Sequence, residues 1–164
     1  NNIALVDRII TKRIKNNVVD VYPQVDTSVA SQKAWQDFSY IVGGTPLLIK
    51  EGKTISNHSS EKTVDSFLNE RHARTAVCMK DAHHWMFVVS DHNKKEYLEY
   101  DHPVQGLTIK ELTEFLQSQG CQNAINLDGG GSSTLVYENE LRNVPSGEME
   151  ERAVNDAILL MSKV

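Results

Sequence analysis

Long apolar runs are missing from this 164-residue chain. No stretch approaches the roughly 18 residues that a membrane-spanning helix needs, so no span is expected. An excess of positive charge is missing too. The 17 Lys and Arg stand against 22 Asp and Glu, a net charge of −5, which argues against nucleic acid or an anionic membrane as partner but leaves room for a local basic pocket. Cysteine is scarce: Cys78 and Cys121 are the only two, and their separation matches no metal motif. Both lie in apolar runs, where the preference of free cysteine for interiors predicts buried thiols. A disulfide between them stays open, because spacing does not decide it. No leader peptide is visible, and the opening Asn1-Asn2 without Met is the form expected of a mature or trimmed chain. Repeats, low-complexity tracts and linker-like composition are also lacking. One domain, residues 1–164, with room for a proper core, is the expectation.

What is present centres on Asn126-Leu127-Asp128-Gly129-Gly130-Gly131-Ser132-Ser133. An apolar run over 124–127 delivers the backbone into a carboxylate, three glycines and two hydroxyls. Three consecutive glycines are poor in any regular element, since each loses more backbone entropy on folding than other residues. A chain carries them where it must turn tightly or be approached closely. The run is not a phosphate-binding P-loop, which ends in Gly-Lys-Ser/Thr and opens a helix, and it is not a dinucleotide fingerprint, because a strand-like segment follows. Nor does the chain contain a Gly-x-Ser-x-Gly elbow or a His-Glu-x-x-His pair.

Around this turn the pattern alternates between strands and turns. Residues 3–14 mix apolar and basic side chains, 18–25 alternate as an edge strand does, and 28–38 form a weak helix candidate. Residues 40–42 and 47–49 read as short strands around Gly43-Gly44-Thr45-Pro46, with Glu51-Gly52-Lys53 as a turn. A helical turn or two is expected over 61–70. Residues 74–79 and 84–90 predict a hairpin closed by Lys80-Asp81-Ala82-His83, and 96–100 a short strand. Thr108-Ile109-Lys110-Glu111 is a capping box that opens a helix with Leu112, Phe115 and Leu116 at apolar spacing and Gly120 at its end. Residues 121–127 then lead into the glycine turn. A hairpin over 134–137 and 140–144 turns on Glu138-Asn139, and 153–161 reads as a final apolar strand. Strands dominate and no strand–helix–strand alternation is sustained. The expected class is α+β, with a mixed, largely antiparallel sheet flanked by a few helices.

The glycine turn carries the clearest chemistry. Successive amides of Gly129, Gly130 and Gly131 can converge into an anion nest, and the Ser132 and Ser133 hydroxyls add donors. Asp128, just ahead, is placed to act as base, nucleophile or metal ligand. Arg74 and Arg152 each precede a predicted strand, and a guanidinium suits a phosphate because its planar fork bonds two oxygens at once. Of six histidines, His72 beside Arg74 is the candidate; the others read as solvated loop residues.

These pieces together resemble the phosphodiester glycosidase family. The likeness rests on residues 126–133, on Asn143-Val144-Pro145-Ser146, and on Glu151-Arg152-Ala153-Val154. Gly43-Gly44-Thr45-Pro46-Leu47-Leu48, Arg74-Thr75-Ala76, Asp91, Gly106-Leu107-Thr108 and Glu111-Leu112 support it in the right order. The chain departs from the pattern at Asp91-His92-Asn93, where bacterial members have Asp-Gly-Arg, and at Asp156, where Asn is usual. The family's upstream Asn-Gly/Ala-x-Phe-Phe segment has no counterpart, so the chain is expected to be either a C-terminal portion whose fold a preceding segment completes or a reduced member of the family. The resemblance implies a hydrolase that splits the bond between a sugar's anomeric carbon and a phosphodiester, releasing free sugar such as N-acetylglucosamine. It implies Asp128 and Glu151 as catalytic carboxylates, and Arg74, Gly129, Gly130, Gly131, Ser132 and Arg152 as phosphate or sugar contacts. His72, Asp91, Ser133, Asn143 and Ser146 would stand behind them. It implies no metal or cofactor, a sugar-phosphodiester or glycan substrate, and a secreted, periplasmic or lysosomal setting. A non-catalytic module for phosphorylated or anionic glycans is the competing expectation.

Overall fold

The computed structural model describes residues 3–6, 9–13, 19–23, 40–61, 63–93, 104–145 and 152–161. The predicted helix over 28–38 and strand over 96–100 lie outside them, as do Ser146 and Glu151.

The first strands are β1 (Ile3–Val6), β2 (Ile9–Arg13), β3 (Val19–Pro23) and β4 (Tyr40–Gly43). β2 and β3 form an antiparallel hairpin, and β1 pairs parallel to β4. The main sheet collects β5 (Leu47–Lys50), β6 (Lys53–Thr54), β7 (Arg74–Met79), β8 (Trp85–Ser90) and a later strand, β11. Between β6 and β7 runs α1 (Asp65–Asn69); after β8 come β9 (His92–Asn93), β10 (Val104–Gln105) and α2 (Ile109–Ser118). β11 (Asn123–Asn126) then enters the middle of the sheet, in the order β6-β5-β11-β7-β8 with every adjacent pair antiparallel. A two-residue hairpin, β12 (Val136–Tyr137) and β13 (Glu140–Leu141), follows the glycine turn. The architecture is α+β with a mostly antiparallel sheet, as the pattern of strands and turns implied.

Local chemistry explains most of these elements. The Thr108 hydroxyl accepts from the Glu111 N–H at 3.1 Å, and the Thr108 N–H donates to Glu111 Oε2 at 3.0 Å. Such a cap contributes about 1 kcal/mol to a helix start. Those Thr108 hydrogen bonds, with Arg71 close by, hold the Glu111 carboxyl below its usual range. Ile109, Leu112, Thr113 and Leu116 form the buried face of α2. Phe115, expected on that face, is instead exposed, because its position on the helical turn falls beside the stripe. Leu112 and Leu116 pack with Leu48, Ile49, Ala76, Cys78 and Ala124 into one core.

Four expectations are corrected. Cys78 and Cys121 are not free thiols: they form a disulfide, with Cα atoms 5.7 Å apart, tying β7 to the link between α2 and β11. Burial of both was foreseen, but their mutual approach depends on how α2 lies on the sheet, which spacing does not encode. Residues 153–161 form no strand. They have no ladder partners among the described residues and bend at Asn155, and Leu159, Leu160 and Met161 are 76%, 76% and 85% exposed. Apolar, β-branched sequence makes a strand only where a neighbour supplies hydrogen bonds. His58 is not a solvated loop residue but is buried against Glu61, at 3.4 Å. The fourth correction, Phe115, is the one above.

Candidate active site

The site grows from the end of β11. Asn126 is fully buried; its Nδ2 donates to the carbonyls of Thr45 at 2.7 Å and Leu127 at 2.8 Å. The Leu127 N–H still reaches β7, donating to the Thr75 carbonyl at 2.8 Å. One residue later Asp128 stands exposed, with Oδ1 accepting the Gly129 N–H at 2.9 Å. The Gly130 N–H donates to the Ala73 carbonyl at 2.9 Å, and residues Gly130–Ser132 complete a single 3-10 turn.

This path accounts for two of the glycines. A Cβ on Gly129 would lie 2.7 Å from the Ala73 carbonyl oxygen, so only glycine lets the turn press against the residue before β7. A Cβ on Gly131 would meet the Arg152 side chain, 3.2 Å from Nε and 3.5 Å from Cζ. The guanidinium therefore lies across the bare face of Gly131, and its Nη2 donates to the Ser132 hydroxyl. Of the three glycine amides, Gly129 and Gly130 are taken internally, while Gly131 has no acceptor among the described residues. Of the groups expected to form the nest, the Gly131 N–H has no acceptor among the described residues, and the Ser132 hydroxyl and the Arg152 guanidinium are bonded to each other.

A strut fixes the far side of the turn. Asn143 Nδ2 donates to Asp91 Oδ1 and to the Ser133 carbonyl, both at 2.8 Å, while its Oδ1 accepts the Leu135 N–H at 2.7 Å. Asp91 Oδ2 accepts the Val144 N–H at 2.9 Å. Ser133 is fully buried and its hydroxyl accepts from that of Thr75 at 3.1 Å. Asp91, Ser133 and Asn143 thus join the end of β8, the glycine turn and the exit of β13.

Arg74 was expected to face an anion and does not. Its side chain is 1% exposed. Nε donates to the Leu107 carbonyl at 2.9 Å, and Nη2 to the carbonyls of Phe67 at 2.7 Å and Glu70 at 3.0 Å. The guanidinium packs 4.7 Å from the Phe67 ring centre, and burial pulls its pKa down to about 10. Nη1 is buried without a partner among the described residues. An arginine directly before a strand looks the same in sequence whether it faces solvent or seals a loop; here it binds α1 and the approach to α2 onto β7. His72 is half-buried, and its backbone pairs with Leu107. Near it, an open cleft of about 460 Å³ lies between Arg71, Ser90, Asp91 and residues 104–107. Arg71 and Ser90 carried no sequence signal, for their relevance arises from where α2 and β8 bring them. The described residues hold no cluster of three or more metal-ligating side chains, and no helix among them is long and apolar enough to cross a membrane.

A family model described as phosphodiester glycosidase matches residues 3–161. The chain belongs to the phosphodiester glycosidase family. Among curated relatives, N-acetylglucosamine-1-phosphodiester alpha-N-acetylglucosaminidase of Mus musculus is 31% identical over 123 residues, and that of Homo sapiens is 30% identical over 128. Each alignment covers 70% of this chain, which spans 22% of the length of those relatives. Among solved structures, the zebrafish enzyme's catalytic domain, auto-inhibited by its pro-peptide, superposes with a TM-score of 0.54 at 28% identity. That match covers 69% of this chain and 39% of the zebrafish chain. A hypothetical protein from Synechocystis shares the fold at the same TM-score and 24% identity, over 84% of this chain and 31% of its own. The phosphodiester glycosidase relationship spans the glycine turn, the Asp91–Asn143 strut and Arg152 alike.

Proposed function

We propose that this chain hydrolyses the bond between a sugar's anomeric carbon and a phosphodiester oxygen, releasing free sugar and a phosphomonoester. The supporting observation is that the Arg152 guanidinium bonds Ser132 and covers the bare face of Gly131, on the turn that begins at the exposed Asp128. A phosphate departs more readily than an alkoxide, so the reaction depends less on a strong general acid than ordinary glycoside hydrolysis does. It needs charge neutralised at the phosphate, and a carboxylate near the anomeric carbon to support its positive character. In this reading the Arg152 guanidinium, the Ser132 hydroxyl and the Gly131 N–H take the phosphate oxygens. Asp128 Oδ1 is steadied by the Gly129 N–H, which leaves Oδ2 to face the anomeric carbon or an attacking water. Glu151 is the proposed second carboxylate, adjacent in sequence to Arg152. The Asp91–Asn143 strut positions the turn. Water supplies the new oxygen on the sugar, and the C–O bond electrons leave with the phosphate.

N-acetylglucosamine is the proposed sugar, from the curated relatives' substrate name. The Cys78–Cys121 disulfide favours an extracytoplasmic setting, since disulfides persist where the surroundings are oxidising. Incubation with N-acetylglucosamine-1-phosphodiesters, a teichoic-acid-like polymer and a nucleotide sugar, reading free reducing sugar, tests the proposal. Release from a phosphodiester substrate, abolished by Asp128→Asn, supports it. Tight binding of a phosphosugar with no release from any substrate would instead make the chain a glycan-binding module.

A further inference from the structure

Glu61 is a buried carboxylate that the proposed chemistry does not use. It ends the 3-10 turn Ser59–Glu61, and its side chain is 7% exposed. No lysine or arginine pairs with it among the described residues; the His58 ring lies beside it, with Nδ1 at 3.4 Å. A carboxylate taken out of water is costly unless hydrogen bonds replace its hydration, and here they come from one short loop. The Thr45 hydroxyl donates to Oε2 at 3.0 Å, and the Leu47 N–H lies 3.1 Å from Oε2 and 3.2 Å from Oε1. Bonds to an ionised acceptor are stronger than neutral ones, so the loop over 44–47 is fixed from this side.

The other side of that loop grips Asn126. The Thr45 carbonyl accepts from Asn126 Nδ2 at 2.7 Å, and the Pro46 carbonyl accepts the Asn126 N–H at 3.1 Å. A Cβ on Gly44 would lie 2.2 Å from the Asn126 carbonyl oxygen, so backbone meets backbone there. Asn126 is thus held through its N–H, its side chain and its carbonyl by a loop that Glu61 anchors. Two residues on, the exposed Asp128 side chain bonds the Gly129 N–H alone among the described residues. Its aim therefore depends on where Asn126 and Leu127 put the backbone.

We propose that Glu61 is a positioning residue for Asp128, acting through Thr45 and Asn126 and touching no reacting atom. The link to turnover rests on the glycosidase reading above; the effect on the shape of the glycine turn does not.

The test uses the full chain and Glu61→Gln, which keeps the shape of the side chain and gives up its charge and one acceptor oxygen. A reacting group misplaced by about 1 Å can cost about 10²-fold. For partial loosening, kcat on N-acetylglucosamine-1-phosphate esterified to methanol is expected to fall about tenfold, with KM within about twofold. The amide NMR signals of Gly129, Gly130 and Gly131 should shift with no ligand added. Thr45→Val, which removes one donor to Glu61, should show smaller changes of the same kind. Thr113→Val is the stability control: it removes the hydroxyl bond to the Ile109 carbonyl inside α2, and should lower the unfolding temperature while leaving kcat and the glycine signals as in the wild type. Wild-type kcat in Glu61→Gln, or glycine signals that stay in place, overturns the proposal. So does an equal loss of kcat in Thr113→Val, which would make the effect one of stability alone. Should Glu61→Gln fail to fold, Thr45→Val decides on the same readouts. A wild type that releases no sugar counts against the glycosidase reading, and the glycine signals alone then decide whether Glu61 positions the turn.

Discussion

The sheet with α2 behind it and the rim that starts at Asp128 hold their shapes by different means. In the slab, Leu48, Ile49, Leu112, Leu116, Ala124 and Ile125 are almost wholly removed from water, and the disulfide closes it at one end. Its contacts are apolar and many, so position is set by close packing. The rim has exposed side chains, a 3-10 turn of one cycle and a two-residue hairpin, and it is held by polar bonds that can be counted: Gly130 to Ala73, Ser133 to Thr75, Asn143 to Asp91. The slab gives the molecule its stability; the rim borrows that rigidity through a few struts and keeps its functional groups free. Damage to the slab should therefore appear first as lost stability, and damage to the rim as lost activity at unchanged stability.

The largest effect expected on the slab comes from the disulfide. Cys78 and Cys121 close a loop of 43 residues, and removing such a link costs on the order of 2–4 kcal/mol. A Cys78→Ala/Cys121→Ala double variant should unfold at clearly lower denaturant, and a midpoint equal to the wild type would mean the slab does not depend on it. Arg74→Met comes next. It strips the carbonyls of Phe67, Glu70 and Leu107 of their donor, and with buried acceptors costing about 1–3 kcal/mol each a loss of roughly 3 kcal/mol is expected. If Arg74→Met stayed as stable as the parent but lost phosphosugar affinity, Arg74 would belong to the rim after all.

Asn143→Ala cuts between the two regions. It removes one strut from the turn, and about 1–2 kcal/mol of stability should go with it, together with a kcat loss larger than any change in KM. Asn143→Asp, which keeps the acceptor for Leu135, should restore less than half of that, since the amide donors to Asp91 and Ser133 are still gone. Equal kcat in all three proteins would remove the strut from the account. The smallest effect belongs to the hairpin tip, where Glu138 and Asn139 sit at positive φ of 54° and 63°. Glu138→Gly relieves that conformation, and a gain of a few tenths to about 1 kcal/mol is expected in chemical denaturation, partly offset by the lost ion pair with Arg142. A loss would show that the ion pair governs the tip.

The contrast also explains what the sequence could and could not disclose. The capping box at Thr108, the hairpin after Met79 and the turn on Glu138-Asn139 were readable because each is a bond between residues a few positions apart. The glycine turn was readable for the same reason, as a place of tight turning or close approach; that the close approach falls at Gly129 came from the structure. The Cys78–Cys121 pairing was not, nor was the burial of Arg74 among carbonyls from residues 67, 70 and 107. Each joins segments whose approach is set by tertiary packing. One of the three nest amides turned inward on the same ground: the turn's backbone pattern is local, but Ala73, which takes the Gly130 amide, arrives with β7. The apolar run at 153–161 shows the reverse error, a strong local propensity without a ladder to join among the described residues.

The claim at the centre is that Arg152, Ser132 and Gly131 form an anion cradle beside Asp128. It is tested most directly by reducing-sugar release from an N-acetylglucosamine-1-phosphodiester in wild type and Arg152→Ala, with thermal unfolding measured on the same samples. Removing one donor to a developing oxyanion typically costs about 10²–10³ in kcat, whereas an exposed side chain changes stability by no more than about 0.5 kcal/mol. A fall in kcat of that size at unchanged unfolding temperature is the predicted result. Sugar release at the wild-type rate in a folded Arg152→Ala protein would contradict the cradle.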